Sequence, residues 1–423
     1  MKMSSGASKT VVVHFAVSGG GVKKHIVEFA EGFDRDKFIL IGVFPDEAMS
    51  KSVCKDPESR YRTAFTRLGL ACHTFEIPRG PALWTDVKAV FALARLLRRL
   101  KADVLHCHSS KAGYIGRPAA FLAGIRAVCY TPHIMYYLLH QGLKRRISFL
   151  AEKVLTPLSK ALIAVSTSEY EILRHDLKPG KRLIQINNGV KPFAGPQAGQ
   201  RPDEDAVVGQ SLRPDKGLAG PSAGRYDTVR IRNDYGLPQN VPIILSPTRC
   251  EPQKDVRTLV MAMEKVLKMV PEAVLVVAGE GSLRPGLEQL AAWLGLDERV
   301  RFLGWVDRLE ELMFASDIVA LSSVWEGLPY AVLEASAMGK PTVGSDVPGN
   351  RDCIRDGESG FLVTQGDVDG FAEKLTLLCL SPKMRSEMGR AGQRMVAEDF
   401  NCDIMIKQLE GLYLDLAGRQ VQS

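Results

Sequence analysis

Two cations and two carboxylates in the second half of the sequence have the type and spacing to handle a phosphate-bearing ligand. Arg249 and Lys254 lie five positions apart in SPTRCEPQKD, around a short loop that follows the apolar run 241–249. Two cations so placed could clamp a diphosphate and stabilise its charge as it departs. Glu326 and Glu334 stand in SSVWEGLPYAVLEASAMG with seven residues between them. The loop Gly327, Leu328, Pro329 between them leads into a helix, whose free N–H groups and dipole favour an anion. The two carboxylates could then accept hydrogen bonds from hydroxyls at either end of a nucleotide sugar. Gly279, Glu280 and Gly281, with Ser282, end another apolar run and could let backbone approach a ligand closely. Each feature alone also fits an ordinary turn or surface loop. Together they mark three strand ends on one edge of one sheet.

The elements that must hold these residues are legible as an alternation. In the first half, apolar runs at 10–17, 38–44, 71–78, 102–108, 127–133, 161–166 and 182–190 read as strands separated by helical segments, the first helix covering about 22–32. A second alternation places strands at 241–249, 273–279, 299–305, 317–323 and 341–346, with helices between them and a helical tail over about 368–416. Near-continuous apolar strands alternating with helices imply α/β architecture with doubly wound parallel sheets. The chain of 423 residues is also longer than one core usually organises. The expectation is therefore two Rossmann-like domains facing a central cleft: 1–193 on the acceptor side, a flexible linker or insertion over 194–227, a donor domain over 228–396, and a C-terminal helix over 397–423 packing back towards the first domain. In such sheets ligands bind outside the carboxyl ends of strands.

Charge divides unevenly between the halves. Residues 1–195 hold 30 Lys and Arg against 15 Asp and Glu, and residues 196–423 hold 25 against 33, so halves of +15 and −8 make the net +7. All eight histidines lie in the first half. A basic first half points to an anionic partner, whether a phosphate-bearing substrate or a membrane leaflet. Nucleic acid is not expected, because no aromatic residues interleave with the basic ones. In 91–101, Phe91, Leu93, Leu96, Leu97 and Leu100 are expected inward and Arg95, Arg98, Arg99 and Lys101 outward. In 142–155, Leu143, Ile147, Leu150 and Val154 share a helical spacing, with Lys144, Arg145, Arg146 and Lys153 on other faces. This second helix reads as a solvated surface helix or as one lying on a membrane. No run approaches the roughly 18 apolar residues of a membrane span, and the start lacks a signal-peptide pattern. A cytoplasmic location follows, with peripheral attachment to the inner membrane face as its variant. The eight cysteines are scattered, which suggests free thiols rather than a disulfide framework.

The segment 241–366 closely resembles the donor domain of glycosyltransferase family 4, of GT-B architecture, in TRCEPQKD, VAGEGSL, RFLGWV and EGLPYAVLEASAMGKPTVGSDVPGNRD. The likeness extends to the first half through HFAVSGGGVKKH, HCHSSKAGYIGR and YTPH. The resemblance implies that Arg249 and Lys254 contact the donor pyrophosphate, Glu326 the donor sugar and Glu334 the ribose, with the nucleobase held by backbone groups around Phe302 and Leu303. It implies that the glycine loop of Gly20 and Gly21 closes against the phosphates, and that His133 contacts a sugar hydroxyl near the reacting centre. His108, Ser109 and Lys111 resemble the HSSKAG segment of members that build bacterial surface polysaccharides. Departures are Thr248 and Asp255, where the family commonly has Gly beside its cations, and Asp352 for a frequent Glu.

The implied reaction is transfer of a glycosyl group from a nucleotide sugar to a hydroxyl acceptor, with retention of configuration taken from the resemblance. No cofactor or metal is expected. His106 and His108 at i, i+2 show no third ligand, and the DxD runs at 34–36, 203–205 and 367–369 end no strand facing the cleft. The expected acceptor is a saccharide or a lipid-linked saccharide, with an anionic membrane surface as a candidate partner. A nucleotide-sugar 2-epimerase of the same fold, or a non-catalytic nucleotide-sugar-binding module, are the alternatives.

Overall fold

The computed structural model describes residues 9–17, 19–45, 61–75, 77, 82–193 and 226–419. The expected linker at 194–227 thus lies outside the described residues except for its last two. The chain divides into two compact units, Met1–Gly189 with Phe400–Ser423, and Val190–Asp399.

The first unit runs β1 (Thr10–Ala16), α1 (Gly21–Gly32), β2 (Phe38–Pro45), α2 (Tyr61–Arg67), β3 (Ala71–Phe75), α3 (Leu83–Leu100), β4 (Val104–His108), α4 (Ser110–Ala123), β5 (Ala127–Thr131), α5 (Gly142–Leu155), β6 (Ala161–Ala164), α6 (Thr167–Leu177) and β7 (Leu183–Gln185). Its strands form a parallel sheet in the order β3-β2-β1-β4-β5-β6-β7. Alternate residues of β1 feed two cores, Val13 and Phe15 on one face, Val12 and Ala16 on the other. Burial on both faces is what makes the strand an unbroken apolar run.

The second unit contains α7 (Thr228–Asp234), β8 (Ile243–Ser246), α8 (Val256–Met269), β9 (Val274–Ala278), α9 (Arg284–Trp293), β10 (Val300–Gly304), α10 (Leu309–Ala315), β11 (Ile318–Leu321), α11 (Tyr330–Ala337), β12 (Thr342–Ser345), α12 (Pro348–Arg351), β13 (Gly360–Val363), α13 (Val368–Leu380) and α14 (Pro382–Asp399). Its parallel sheet has the order β10-β9-β8-β11-β12-β13. The order reverses between β8 and β11, which places the ligand-binding crevice of such a sheet beyond those two strands. β13 was not expected from the sequence; it is a short edge strand whose Phe361 and Leu362 are only partly buried.

The last helix, α15 (Cys402–Leu416), belongs to the first unit. Met405, Ile406, Leu409 and Tyr413 complete the core beneath the Val12 face of β1.

One expectation about side-chain direction changes, and α5 gains a buried residue that its pattern did not mark. Leu93, Leu96 and Leu97 of α3 are buried as expected, but Phe91 is exposed. On α5, Leu143, Ile147, Leu150 and Val154 are each at least 60% exposed, and Glu152 is the buried residue. Glu152 ion-pairs with the fully buried Arg117 of α4 at 2.7 Å and accepts from Tyr130 Oη at 2.9 Å. A charged contact, and not an apolar stripe, thus anchors α5 to its sheet.

Candidate active site

In the second unit the loops after β8 and β11 meet across the point where strand order reverses. Val324 N–H donates to the Gln253 carbonyl at 2.8 Å, and Ser322 Oγ donates to the Asp255 carbonyl at 2.8 Å. These bonds bring Lys254 and Glu326, 72 residues apart, to an Nζ–Oε1 distance of 2.5 Å. Ser323 Oγ donates to the same carboxylate oxygen at 2.6 Å. Arg249 is exposed on the same loop and makes no ion pair among the described residues. The sequence reading treated Arg249 and Lys254 as an equivalent clamp. The structure separates them: Lys254 is held by a carboxylate, whereas Arg249 is open to an incoming anion.

The glycines at the end of β9 have a different close neighbour from the one expected. A Cβ on Gly279 would sit 2.1 Å from the Thr248 carbonyl oxygen, and one on Gly281 would sit 2.2 Å from that of Cys250. What they admit is the chain's own β8 loop, clasped by Cys250 N–H to the Glu280 carbonyl at 3.0 Å. Glu251 reinforces the clasp by accepting from Ser282 N–H at 3.0 Å and Ser282 Oγ at 2.9 Å, and those bonds hold its carboxyl below the usual range. The exposed Glu280 pairs with Arg284 at 2.7 Å. Arg284 Nη2 also donates to the Phe302 carbonyl at 3.1 Å. Phe302 and Leu303 lie in edge strand β10. Its register passes from Phe302–Val277 to Gly304–Ala278, so Leu303 is the extra residue of a bulge, unpaired with β9.

Gly327 leads to the buried Leu328 and to Pro329, the N-cap of α11. A Cβ on Gly349 would lie 2.4 Å from the Gly327 carbonyl oxygen, so this glycine lets α12 close against the loop carrying Glu326. Glu334, partly buried, lies one turn into α11. Asp255 takes φ +41, a left-handed conformation that explains the family's glycine at this position.

In the first unit, parallel register sets His14 of β1 opposite His106 of β4. A continuous hydrogen-bonded chain results. Thr131 Oγ1 meets His106 Nε2 at 2.7 Å, and His106 Nδ1 meets Tyr413 Oη at 2.6 Å. Tyr413 Oη reaches His14 Nε2 at 3.2 Å, His14 Nδ1 reaches His108 Nε2 at 3.0 Å, and His108 Nδ1 reaches His133 Nε2 at 3.2 Å. Neutral imidazole has one donor and one acceptor nitrogen, so every bond can be satisfied with the chain polarised in either sense. Burial first, then mutual repulsion, keeps these rings neutral: His14 falls to about 3, and His106, His108 and His133 lie well below the ordinary range. His133 and Ile134 both have positive φ, 51° and 100°, a costly backbone for a β-branched residue. Glu169 holds it in place, accepting from Ile134 N–H and Val165 N–H, each at 2.8 Å.

The other first-unit candidates are placed as follows. Gly20 caps α1 at φ +67 and Gly21 begins it, both exposed. Ser109 caps α4 at φ +73 with its Oγ buried and without a hydrogen-bond partner among the described residues, and Lys111 pairs with Asp86 at 2.6 Å. Asp34 and Asp367 of the DxD runs serve a turn and the cap of α13. The run at 203–205 lies outside the described residues.

Residues 19–192 match Glycosyltransferase Family 4, and residues 227–395 match glycosyl transferases group 1. The chain belongs to glycosyltransferase family 4. Among relatives of this family 4 enzyme, the UDP-Gal:alpha-D-GlcNAc-diphosphoundecaprenol alpha-1,3-galactosyltransferase of Escherichia coli is 28% identical over 341 residues, covering 80% of this chain and 82% of that one. The capsular polysaccharide biosynthesis glycosyltransferase CapM of Staphylococcus aureus is 21% identical, covering 81% and 84%. Anabaena Alr3699/HepE in complex with UDP superposes with a TM-score of 0.72 at 18% identity, over 95% of this chain and 98% of that one. Sucrose-phosphate synthase from Thermosynechococcus elongatus gives 0.75 at 18% identity, over 97% and 100%. The fold is GT-B, two parallel-sheet α/β domains.

Sequence reasoning did not single out His14, His25, Tyr413 or Glu169 for this glycosyltransferase. The surplus of histidine in the first half and the His-x-His of β4 were the available signals. Nothing local ties Tyr413 to His106, 307 residues away.

Proposed function

We propose that this glycosyltransferase moves a hexosyl group, with retention, from a nucleoside diphosphate sugar to a hydroxyl of a lipid-linked saccharide used in surface polysaccharide synthesis. The observation that carries the reading is the Lys254–Glu326 pair at the reversal of strand order, with Arg249 exposed on the same loop. As the anomeric carbon separates from the phosphate, charge grows on the diphosphate. Arg249 and Lys254 stabilise it. Glu326 takes a hydroxyl of the donor sugar and Glu334 the ribose, while the unpaired backbone of the Leu303 bulge, with Phe302, serves the base. The glycine loop of Gly20 and Gly21 packs on phosphate. His133 addresses a sugar hydroxyl, and His108, Ser109 and Lys111 form the acceptor side. The two cations do the work that a metal on the diphosphate does elsewhere. The names of the relatives from Escherichia coli and Staphylococcus aureus support the acceptor class.

The exposed stripe of α5, flanked by Lys144, Arg145, Arg146 and Lys153, supports docking on an anionic membrane surface. No helix among the described residues is long and apolar enough to cross a membrane.

A panel of nucleotide sugars assayed with wild type and the double variant Arg249→Ala, Lys254→Ala tests the reaction. The variant should lose about 10³-fold or more in kcat/KM. Unchanged turnover would refute the proposed roles.

A further inference from the structure

His25 in α1 is bonded through Nδ1 to Asn188 Oδ1 at 3.0 Å. An amide oxygen only accepts, so Nδ1 carries the proton and Nε2 presents a bare lone pair. That Nε2 is buried and has no hydrogen-bond partner among the described residues. Orphaned buried acceptors are rare and costly unless something binds them. His25, His108 and His133 each bring one ring nitrogen within 4.8 Å of the other two. The 3.2 Å between His108 Nδ1 and His133 Nε2 matches the edge of about 3.4 Å spanned by two ligands on a tetrahedral ion with metal–nitrogen bonds of about 2.05 Å.

We infer that His25, His108 and His133 bind one divalent first-row transition ion, of the zinc and cobalt class, through three imidazole nitrogens with a fourth position open. Three nitrogens and no carboxylate oxygen select such an ion over magnesium or calcium. The surroundings are those of a metal site, because each deep ligand has its second nitrogen fixed by an outer partner. Asn188 does this for His25, and His14, backed by Tyr413 and His106, does it for His108. His133 needs only to shift its proton from Nε2 to Nδ1. A second trio, His14, His106 and His108, is equally close. Both nitrogens of each of its rings are already hydrogen-bonded, so an ion there would break the chain at its centre, whereas one held by His25, His108 and His133 replaces only the terminal His108–His133 bond. Of the His-x-His of β4 only His108 is a ligand, and its two co-ligands, which the sequence did not reveal, come from α1 and from the turn after β5. An ion held here would keep His133 from a sugar hydroxyl and act as a brake on transfer. That consequence rests on the function proposed above, whereas binding is read without turnover.

The test uses untagged full-length protein stripped with EDTA. Cobalt is titrated and followed by its visible ligand-field bands, then displaced by zinc in a calorimeter. One equivalent per chain with tetrahedral-type absorption is expected. His25→Ala and His133→Ala should each weaken binding at least 100-fold, and Asn188→Ala should weaken it about 10- to 100-fold. Thermal melting confirms folding, and His133, partly exposed, carries the test if His25→Ala fails to fold. A dissociation constant weaker than about 1 mM in wild type, or stoichiometric uptake that His133→Ala leaves unchanged, would overturn the proposal.

Discussion

Two ion pairs of similar length divide this molecule by purpose. Arg117–Glu152 in the first unit spans 2.7 Å with both side chains fully buried, and Lys254–Glu326 in the second spans 2.5 Å at strand ends with side chains 17% and 8% exposed. The first pair also bonds inward, to the Gly113 carbonyl and Tyr130. It can do nothing but hold α4 to α5. The second is held by the backbone of two loops and borders an exposed cation. Access, and not bond length, separates the ion pair that fastens from the one proposed to act on the donor.

Breaking the pairs one at a time should separate these purposes. Glu152→Ala strands a guanidinium in the core and should cost about 3–5 kcal/mol in urea or thermal unfolding. Lys254→Ala, beside solvent, should cost about 1 kcal/mol or less in stability yet lower kcat about 10²- to 10³-fold with the active donor. If Lys254→Ala instead unfolds the second unit as Glu152→Ala does the first, the distinction fails.

A different cation, buried without an ion-pair partner among the described residues, sharpens the contrast through pH. Lys340 has no carboxylate at ion-pair distance among the described residues, and burial lowers it from 10.5 to about 8. Below pH 8 the amine is charged in both the folded and unfolded states, and the burial penalty is felt in full. Between pH 8 and 10.5 the unfolded chain binds the extra proton, so stability should rise with pH by on the order of 3 kcal/mol in total. Lys340→Met should abolish that rise and raise stability at pH 7, read as the difference between the two denaturation profiles.

Smaller effects concern backbone. Asp255→Ala should cost about 1 kcal/mol for its left-handed conformation, with Asp255→Gly closer to wild type. Melting curves of the two variants decide this.

The second unit was the more legible in the sequence because its site is local. Arg249 and Lys254 share one loop, and Glu326 and Glu334 sit on and just past another, so strand ends and loop chemistry predicted their edge. What the sequence withheld was the partner of each charge, which depends on strand order. The histidine chain was withheld for the same reason, since His14 and His106 meet only through parallel register and Tyr413 arrives from α15. Periodicity gave α5 its surface stripe but not its anchor, because Glu152 reads as an ordinary surface glutamate until Arg117 is placed beneath it.

The return of α15 to the first unit has a temporal consequence. On the ribosome, every residue of the second unit emerges before Met405, Ile406, Leu409 and Tyr413, which finish the first unit's core. The unit begun first is therefore completed last, and until then it leaves apolar surface and a row of histidines uncovered.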